Sequence, residues 1–193
     1  LHDALPIFCI DDTIFHMSYN HQMLTRLFSR FSPHQPLIEV GVSKEALLHN
    51  FRSYQAAYPE FGIAPVLKSN AYGHDLGLVA RALDNEPVSF FMVDSLYEAR
   101  RLRLAGVRKA VVVMGYTRPE DMVKSTYRNV HFAIADIEQL RLVSTQASRT
   151  LALHLKLDTG MHRQGVTKDD LEEAITLLSG NPHLSLVGVC SHF

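Results

Sequence analysis

The stretch VSFFMVDSLYEARRLRLAGVRKAVVVMG, residues 88–115, contains a complete strand–helix–strand unit. Val88–Val93 and Ala110–Met114 are apolar runs of strand length, rich in residues that favour extended backbone. Between them, Ser95 and Glu98 have the spacing of a capping box, and a glycine ends the helical segment. Two apolar runs joined through a helix by short loops predict a parallel pair of strands with the helix packed outside.

The same alternation continues on both sides of this unit. The further predicted strands are Leu37–Val42, Ile63–Leu67, Val130–Ile134, Leu151–Leu157 and Leu184–Val189. The further predicted helices are one capped by Ser43, one with Leu76, Val79, Ala80 and Leu83 on one face, one opening near Pro119, one capped by Asp136, and one capped by Thr167 with Asp170. We therefore predict an α/β fold with a parallel sheet, and both a barrel and a doubly wound sheet fit this pattern.

Composition and charge exclude several classes of protein. Of the 193 residues, 47% are hydrophobic, and 19 Lys+Arg oppose 20 Asp+Glu, so the net charge of −1 provides no field for a nucleic-acid backbone or an anionic membrane. No apolar run approaches the ~18 residues of a membrane span. Cys9 and Cys190 have neither metal-ligand nor disulfide-framework spacing, which fits a reducing cytoplasm. No GxGxxG follows a strand and no P-loop occurs, which argues against nucleotide-binding folds.

Residues 1–36 have no sustained periodicity, and they end in the breaker-rich segment Phe31–Pro36. We expect a poorly ordered leader over residues 1–36 and a domain over residues 37–193. Residues 4–7 can be encoded by the end of a common sequencing adapter. We therefore expect part of the leader to be an assembly artefact, with the natural start nearer Met17 or Met23.

In both α/β architectures the active groups lie at the carboxyl ends of the strands. The Ile63–Leu67 run is followed by Lys68-Ser-Asn-Ala-Tyr72-Gly-His. A lysine that closes an apolar strand either extends to solvent or serves as a nucleophilic amine for a carbonyl compound. Tyr72 beside the N–H groups of a following helix suits a phosphate, although it also fits the edge of a core.

The Leu151–Leu157 run carries Lys156 and continues as Asp158-Thr-Gly-Met-His-Arg163-Gln-Gly. Asp158 is placed to pair with either neighbouring cation. Arg163 lies between glycines on a tight loop, where its guanidinium is a fixed donor for an oxyanion or a carboxylate, or simply a solvated side chain. The last run ends in Cys190-Ser-His192-Phe, which places an imidazole at the same edge as Lys68 and Arg163.

These three segments together resemble the motifs of the alanine racemases. The segment around Lys68 and Tyr72 resembles the pyridoxal-phosphate lysine motif, the segment from Lys156 to Arg163 resembles the second motif, and the segment ending in His192 resembles the third. The motifs occur in the family's order, and the resemblance extends from about Leu37 to Phe193.

The resemblance implies a fold-type III enzyme with an N-terminal (β/α)8 TIM barrel, a C-terminal β domain and a head-to-tail homodimer. This chain would contain an incomplete pyridoxal-phosphate-binding barrel with about six of the eight strands, without the β domain. Leu37–Val42 would belong to the sheet of that β domain rather than to the barrel. The implied activity is the interconversion of L-alanine and D-alanine for peptidoglycan synthesis in the bacterial cytoplasm, and the resemblance leads us to expect no turnover from residues 1–193 alone.

The resemblance also implies a role for each site residue. Lys68 would bind the cofactor covalently and act as the base on one face of the α-carbon, while a tyrosine of the other subunit serves the opposite face. Tyr72 would bind the cofactor phosphate, and His192 would stack on its ring. Arg163 would contact the phenolic oxygen and the substrate. Lys156 would support Arg163, either as a carbamate or as a free amine paired with Asp158.

Two positions depart from the family pattern. Residue 162 is histidine where many members have glycine or asparagine, and residue 75 is aspartate where glycine is usual. Both lie near the expected cofactor site. The alternatives to an alanine racemase are a racemase of another amino acid, such as serine or lysine, and a non-catalytic pyridoxal-phosphate-binding barrel, against which residues 71–74 argue.

Overall fold

The computed structural model of the chain describes residues 40–192. It divides into two compact units, one ending at Phe61 and one starting at Gly62. Three features of the sequence analysis lie outside the described residues: the predicted leader, the alternative starts Met17 and Met23, and Cys9. The domain boundary near residue 37 therefore stays a prediction.

The first unit contains helix α1 (Lys44–Ala57). Ser43 caps it as predicted, because its hydroxyl oxygen accepts the Ala46 N–H at 3.1 Å. Residues 40–42, the described part of the predicted strand Leu37–Val42, have no strand conformation. A strand requires a paired neighbour for its N–H and C=O groups, and no described segment pairs with these residues.

The second unit contains a five-stranded parallel sheet and six helical segments. The strands are β1 (Phe91–Val93), β2 (Val111–Val113), β3 (Val130–Ile134), β4 (Leu151–Lys156) and β5 (Leu184–Cys190). The helical segments are α2 (Lys68–Tyr72), α3 (Leu76–Leu83), α4 (Leu96–Leu104), α5 (Pro119–Lys124), α6 (Ile137–Gln146) and α7 (Leu171–Gly180). The predicted α/β alternation is therefore confirmed, with short differences at the ends of the elements.

The order of the strands decides between the two predicted architectures. The sheet runs β1-β2-β3-β4-β5, and every neighbouring pair is parallel. A doubly wound sheet reverses its order at a switch point, whereas a barrel places its strands in chain order. The five strands therefore form part of a barrel sheet.

The predicted strand Ile63–Leu67 joins this sheet only through isolated bridges. Ile63 pairs in parallel with Val88, and Val66 pairs in parallel with Met92. Proline at position 65 has no N–H for a continuous ladder, although its carbonyl accepts the Met92 N–H at 2.9 Å. The sequence predicted about six barrel strands. The structure has five regular strands, and the sixth predicted strand is this bridged segment.

The core lies between the sheet and the helices that cover its outer face. In β4, Leu151, Leu153 and Leu155 are buried, while the alternate residues are only half-buried. Helix α4 contacts β1 and β2, α6 contacts β3, and α7 contacts β5. The alternation places polar residues such as Lys156 on the opposite face from the helices.

Besides Ser43, two of the predicted helix caps are found and one is displaced. Ser95 accepts the Glu98 N–H at 3.3 Å, and Asp136 accepts the Gln139 N–H at 2.7 Å. Thr167 accepts the Asp170 N–H at 3.4 Å, but α7 begins only at Leu171. The expected pair therefore stabilises the turn before α7 rather than its first helical turn.

No helix within residues 40–192 is both long enough and apolar enough to cross a membrane.

Candidate functional site

The turn that follows the bridged segment has an unusual backbone. Ser69, Asn70, Ala71 and Tyr72 have φ between 53° and 56°, which is the left-handed region, and Gly73 follows with φ 93°. Left-handed backbone costs roughly 1–2 kcal/mol for each residue that carries a side chain. Four such residues in succession therefore require strong local support.

Lys68 stands at the start of this turn. Leu67, the residue before it, is buried and donates its N–H to the Met92 carbonyl at 2.7 Å, which ties the turn to β1. Lys68 itself is half-buried, and no carboxylate within residues 40–192 pairs with its amine. A half-buried amine at the carboxyl end of a strand is suited to react with a carbonyl group.

Tyr72 is 54% exposed at the end of the same turn. The sequence led us to expect free N–H groups at the start of α3 beside it. Instead, the Leu76 N–H donates to Asn70 Oδ1 at 3.1 Å, and the Leu78 N–H donates to Asp75 Oδ1 at 2.9 Å. These two donors are already used, so fewer N–H groups remain for a phosphate at the start of α3 than the sequence led us to expect.

Side chains of α4 contact the turn. Glu98 Oε1 accepts the Asn70 N–H at 3.0 Å, and Glu98 Oε2 accepts the Asp94 N–H at 2.9 Å. Arg101 donates to Asn70 Oδ1 at 3.0 Å and lies 3.9 Å from the Asp75 carboxylate. We call Asn70, Asp75, Glu98 and Arg101 the turn clamp.

At the end of β4, Lys156 donates to Gln164 Oε1 at 3.2 Å. The expected pairing of Asp158 with Lys156 or Arg163 is not found. Asp158 instead accepts the N–H groups of Gly160 and His162, each at 3.0 Å, because the loop folds back over its carboxylate. These backbone hydrogen bonds lower the pKa of Asp158.

Arg163 is exposed on this loop. The flanking glycines have left-handed backbone, with φ 127° at Gly160 and 138° at Gly165, and a Cβ at Gly165 would lie 2.4 Å from the Asp158 nitrogen. The loop is anchored by the Gly165 N–H, which donates to the Ala135 carbonyl at 2.6 Å. The predicted tight loop around Arg163 is therefore confirmed.

Arg163 lines an open pocket of about 340 Å³ at the ends of β2, β3 and β4. The other residues that line it are Tyr116, Ala135, Asp136, Asp158, His162, Gln164 and Gly165.

The end of β5 lies beside the same loop. Ser191 Oγ is 2.5 Å from Thr159 Oγ1 and donates to the Leu157 carbonyl at 3.2 Å. His192, the next residue, is exposed at this end of the sheet. Cys190 is in register with Lys156, and burial raises the pKa of its thiol.

The two departures from the family pattern share a positive φ. His162 has φ 54° and Asp75 has φ 66°, so both residues adopt a backbone that glycine tolerates better. Asp75 offsets this cost by capping α3. The His162 side chain is 86% exposed and lies 3.4 Å from Asp158.

The predicted site residues form two groups at the carboxyl edge of one parallel sheet. Lys68 and Tyr72 follow the segment bridged to β1, whereas Lys156 ends β4, Asp158 and Arg163 follow it, and His192 follows β5. An amine is the nucleophile that condenses with an aldehyde, a phenol and a guanidinium donate hydrogen bonds to a phosphate or a phenolic oxygen, and an imidazole can stack on a planar ring. The residues present therefore fit pyridoxal phosphate.

Several residues of the site were not predicted. The spacing of Glu98 predicted only a helix cap, and Asn70, Arg101 and Gln164 were not singled out. The available signal was local: asparagine tolerates left-handed backbone better than other residues with side chains, and Gly73 follows it. The contact between Asn70 and Glu98 spans 28 positions, which no periodicity reveals.

Comparison with known proteins identifies a shared domain. Residues 42–193 match the model of the family "Alanine racemase, N-terminal domain". The alanine racemase of Carboxydothermus hydrogenoformans is 38% identical over 157 residues, which cover 79% of this chain and 42% of that protein. This chain thus spans less than half the length of that curated relative.

Solved structures agree on the fold. Alanine racemase from Bacillus anthracis with bound L-Ala-P aligns with a TM-score of 0.72 at 30% identity. The alignment covers 78% of this chain and 40% of that chain. Histidine racemase from Leuconostoc mesenteroides subsp. sake aligns with a TM-score of 0.73 at 29% identity. The alignment covers 79% of this chain and 42% of that chain. The five-stranded sheet is therefore part of a racemase barrel domain.

Proposed function

The chain belongs to the alanine racemase family through its N-terminal domain, and from that membership we propose that the full-length protein interconverts L-alanine and D-alanine with pyridoxal phosphate. The family is one of pyridoxal-phosphate-dependent isomerases that act on amino acids. The observation that carries the proposal is Lys68: a half-buried amine, not paired with a carboxylate of residues 40–192, at the carboxyl end of a segment bridged to β1.

Five of the site residues have a role in this proposal: Lys68, Tyr72, Lys156, Arg163 and His192. Pyridoxal phosphate, when bound, supplies an electron sink that makes the α-proton of an amino acid acidic. Lys68 holds the cofactor through its amine and afterwards moves a proton at one face of the α-carbon. Racemisation needs a second acid or base on the opposite face, which we assign to a tyrosine of the other subunit in a homodimer.

The remaining residues bind and orient. The Tyr72 hydroxyl would donate to the cofactor phosphate, and the His192 imidazole would stack on the ring. Arg163, on its glycine-flanked loop, donates to the phenolic oxygen and to the substrate carboxylate, for which a planar guanidinium is suited. Lys156, hydrogen-bonded to Gln164, supports that loop.

Alanine as the substrate is supported by the names of the relatives, and the likeness to a histidine racemase keeps a second substrate open. Racemases of serine or lysine and a non-catalytic cofactor-binding barrel are further alternatives. Peptidoglycan synthesis and a cytoplasmic location belong to the same proposal.

We predict that the full-length protein containing this chain forms a covalent adduct between pyridoxal phosphate and Lys68. The Lys68 amine would hold the cofactor through a covalent bond to its aldehyde carbon, with loss of water. Borohydride then reduces that bond to a stable amine, which mass spectrometry locates. Lys68→Ala should abolish the adduct and the visible absorbance band that the bound cofactor gives before reduction, whereas Lys124→Ala, at an exposed position on α5, should retain both.

The substrate is tested by measuring racemisation of alanine, serine, lysine and histidine with the same protein. Preference for alanine supports the proposal, and preference for another amino acid assigns that substrate instead. An adduct at Lys68 without turnover of any amino acid would indicate a binding barrel. An unchanged band in Lys68→Ala would remove Lys68 from its role.

A further inference from the structure

We propose that Glu98 and Arg101 of α4 are positioning residues that hold the Lys68–Tyr72 turn in its left-handed conformation and so set the position of the reactive amine. This inference rests on the proposed function, because it assigns the turn to the cofactor lysine. It concerns residues that touch the turn and not the cofactor.

The first argument is the conformation that must be held. Four successive residues with side chains, Ser69–Tyr72, have left-handed backbone. Such a segment persists only where the surroundings over-determine it, and segments of this kind concentrate at functional sites. Lys68 precedes this segment directly, so a change in the turn displaces its amine.

The second argument is the set of contacts that α4 makes. Glu98 Oε1 accepts the N–H of Asn70 in the middle of the turn at 3.0 Å. Arg101, one helical turn further along α4, donates to Asn70 Oδ1 at 3.0 Å. One asparagine is therefore held at its backbone and at its side chain by two charged groups, and hydrogen bonds to charged groups are the stronger kind.

The third argument is that the turn clamp also links the turn to α3, the next helix. Asn70 Oδ1 accepts the Leu76 N–H at 3.1 Å, and Arg101 lies 3.9 Å from Asp75, which caps α3. Asp75 also has a positive φ, 66°, which a residue with a side chain rarely adopts. The clamp thus holds both ends of the link between Lys68 and α3.

The test separates positioning from helix stability with two variants of α4. Glu98→Ala removes the acceptor of the Asn70 N–H. Ser95→Ala removes the cap of the same helix, since Ser95 accepts the Glu98 N–H at 3.3 Å, but leaves the acceptor on Glu98 in place. Arg101→Ala is matched by Arg100→Ala, an exposed neighbour.

Two readouts apply to the full-length protein. Without cofactor, amide hydrogen exchange of the peptide covering residues 68–74 reports the turn. With pyridoxal phosphate, the rate at which the adduct at Lys68 forms, measured by trapping it with borohydride, reports the position of the amine. Glu98→Ala and Arg101→Ala should speed the exchange and slow the adduct by roughly tenfold, which corresponds to one charged hydrogen bond. Ser95→Ala and Arg100→Ala should match the parent in both readouts.

Asn70 provides an independent check. Asn70→Gly favours left-handed backbone but lacks the acceptor, whereas Asn70→Asp retains an acceptor oxygen. We expect the glycine variant to form the adduct slowly and the aspartate variant to recover most of the parent rate. The inference would be overturned if Asn70→Gly formed the adduct as fast as the parent. It would also be overturned if Glu98→Ala and Ser95→Ala slowed adduct formation equally.

The proposed function can fail separately. If the parent forms no adduct at Lys68, that proposal is wrong, and the exchange measured without cofactor still decides whether Glu98 holds the turn. Equal exchange in the parent and in Glu98→Ala would show that it does not.

Discussion

Two histidines on the polar face of the sheet form a pair that the proposed chemistry does not use. His131 Nδ1 is 3.2 Å from His154 Nε2, and the two rings stack with their centroids 5.4 Å apart. A hydrogen bond between two ring nitrogens needs one donor and one acceptor, so at least one ring is neutral. Gly188 makes room for the pair, because a Cβ there would lie 2.5 Å from His154 Nδ1.

The pair predicts a dependence of stability on pH. Burial lowers the pKa of both rings. The charge of Arg103 lowers the pKa of His131 further, and the charge of His131 lowers the pKa of His154 further. Because the folded pKa lies below the unfolded value of about 6.5, the unfolded chain binds more protons as the pH falls. We expect the stability from these rings to be complete above pH ~7 and to be lost as the pH falls through the unfolded pKa towards the folded one.

Urea unfolding midpoints between about pH 7.5 and 5 measure this loss. His154→Gln keeps a polar group but removes one titration, so its midpoint should fall less steeply than that of the parent. His49→Gln, at an exposed position on α1, should follow the parent. Equal slopes for the parent and His154→Gln would contradict the prediction.

At the scale of the elements, α6 joins the loops that surround the pocket beside Arg163. Gln139 is 1% exposed, accepts the Ala135 N–H at 2.7 Å and donates to the Thr117 carbonyl at 2.6 Å. Ala135 in turn accepts the Gly165 N–H. One buried side chain therefore connects the loops after β2 and β3 with the loop that carries Arg163.

Gln139→Leu should destabilise the protein by about 2–4 kcal/mol, because it leaves a buried N–H and a buried carbonyl without partners. Unfolding in urea measures the loss. Gln146→Leu, at an exposed position on the same helix, is the matched control and should change stability by less than about 0.5 kcal/mol. A Gln139→Leu protein as stable as the control would show that this link contributes nothing.

At the scale of the whole molecule, β5 exposes apolar side chains. Within residues 40–192 it pairs only with β4, and Leu186, Val187 and Val189 are 47%, 47% and 59% exposed. An exposed apolar strand with an unpaired edge is a template for association.

We therefore expect the 193-residue chain to associate as its concentration rises, which sedimentation or light scattering measures. Val187→Lys combined with Val189→Lys should suppress the association, since charge on an edge strand opposes pairing. Ile175→Lys, at an exposed position of α7, should not suppress it. Association that persists in the double variant would place the contact elsewhere.

Much of the fold follows from local patterns. The apolar runs, the caps Ser43, Ser95 and Asp136, and the glycine-flanked loop around Arg163 depend on interactions between neighbours in the chain, which periodicity and residue chemistry reveal. The motifs likewise indicated Lys68 and the family. Proline at position 65 is also a local signal, although the pattern Ile63–Leu67 alone predicted a regular strand.

The sequence alone determined the alternation of strands and helices, the family and the edge of the sheet at which the candidate site lies. Only the tertiary structure decided that the strands lie in chain order, that Lys156 contacts Gln164 rather than Asp158, and that Glu98 holds Asn70. Each of these depends on contacts between residues far apart in the chain or on the path of a loop, and such contacts form only when the sheet and its helices pack together.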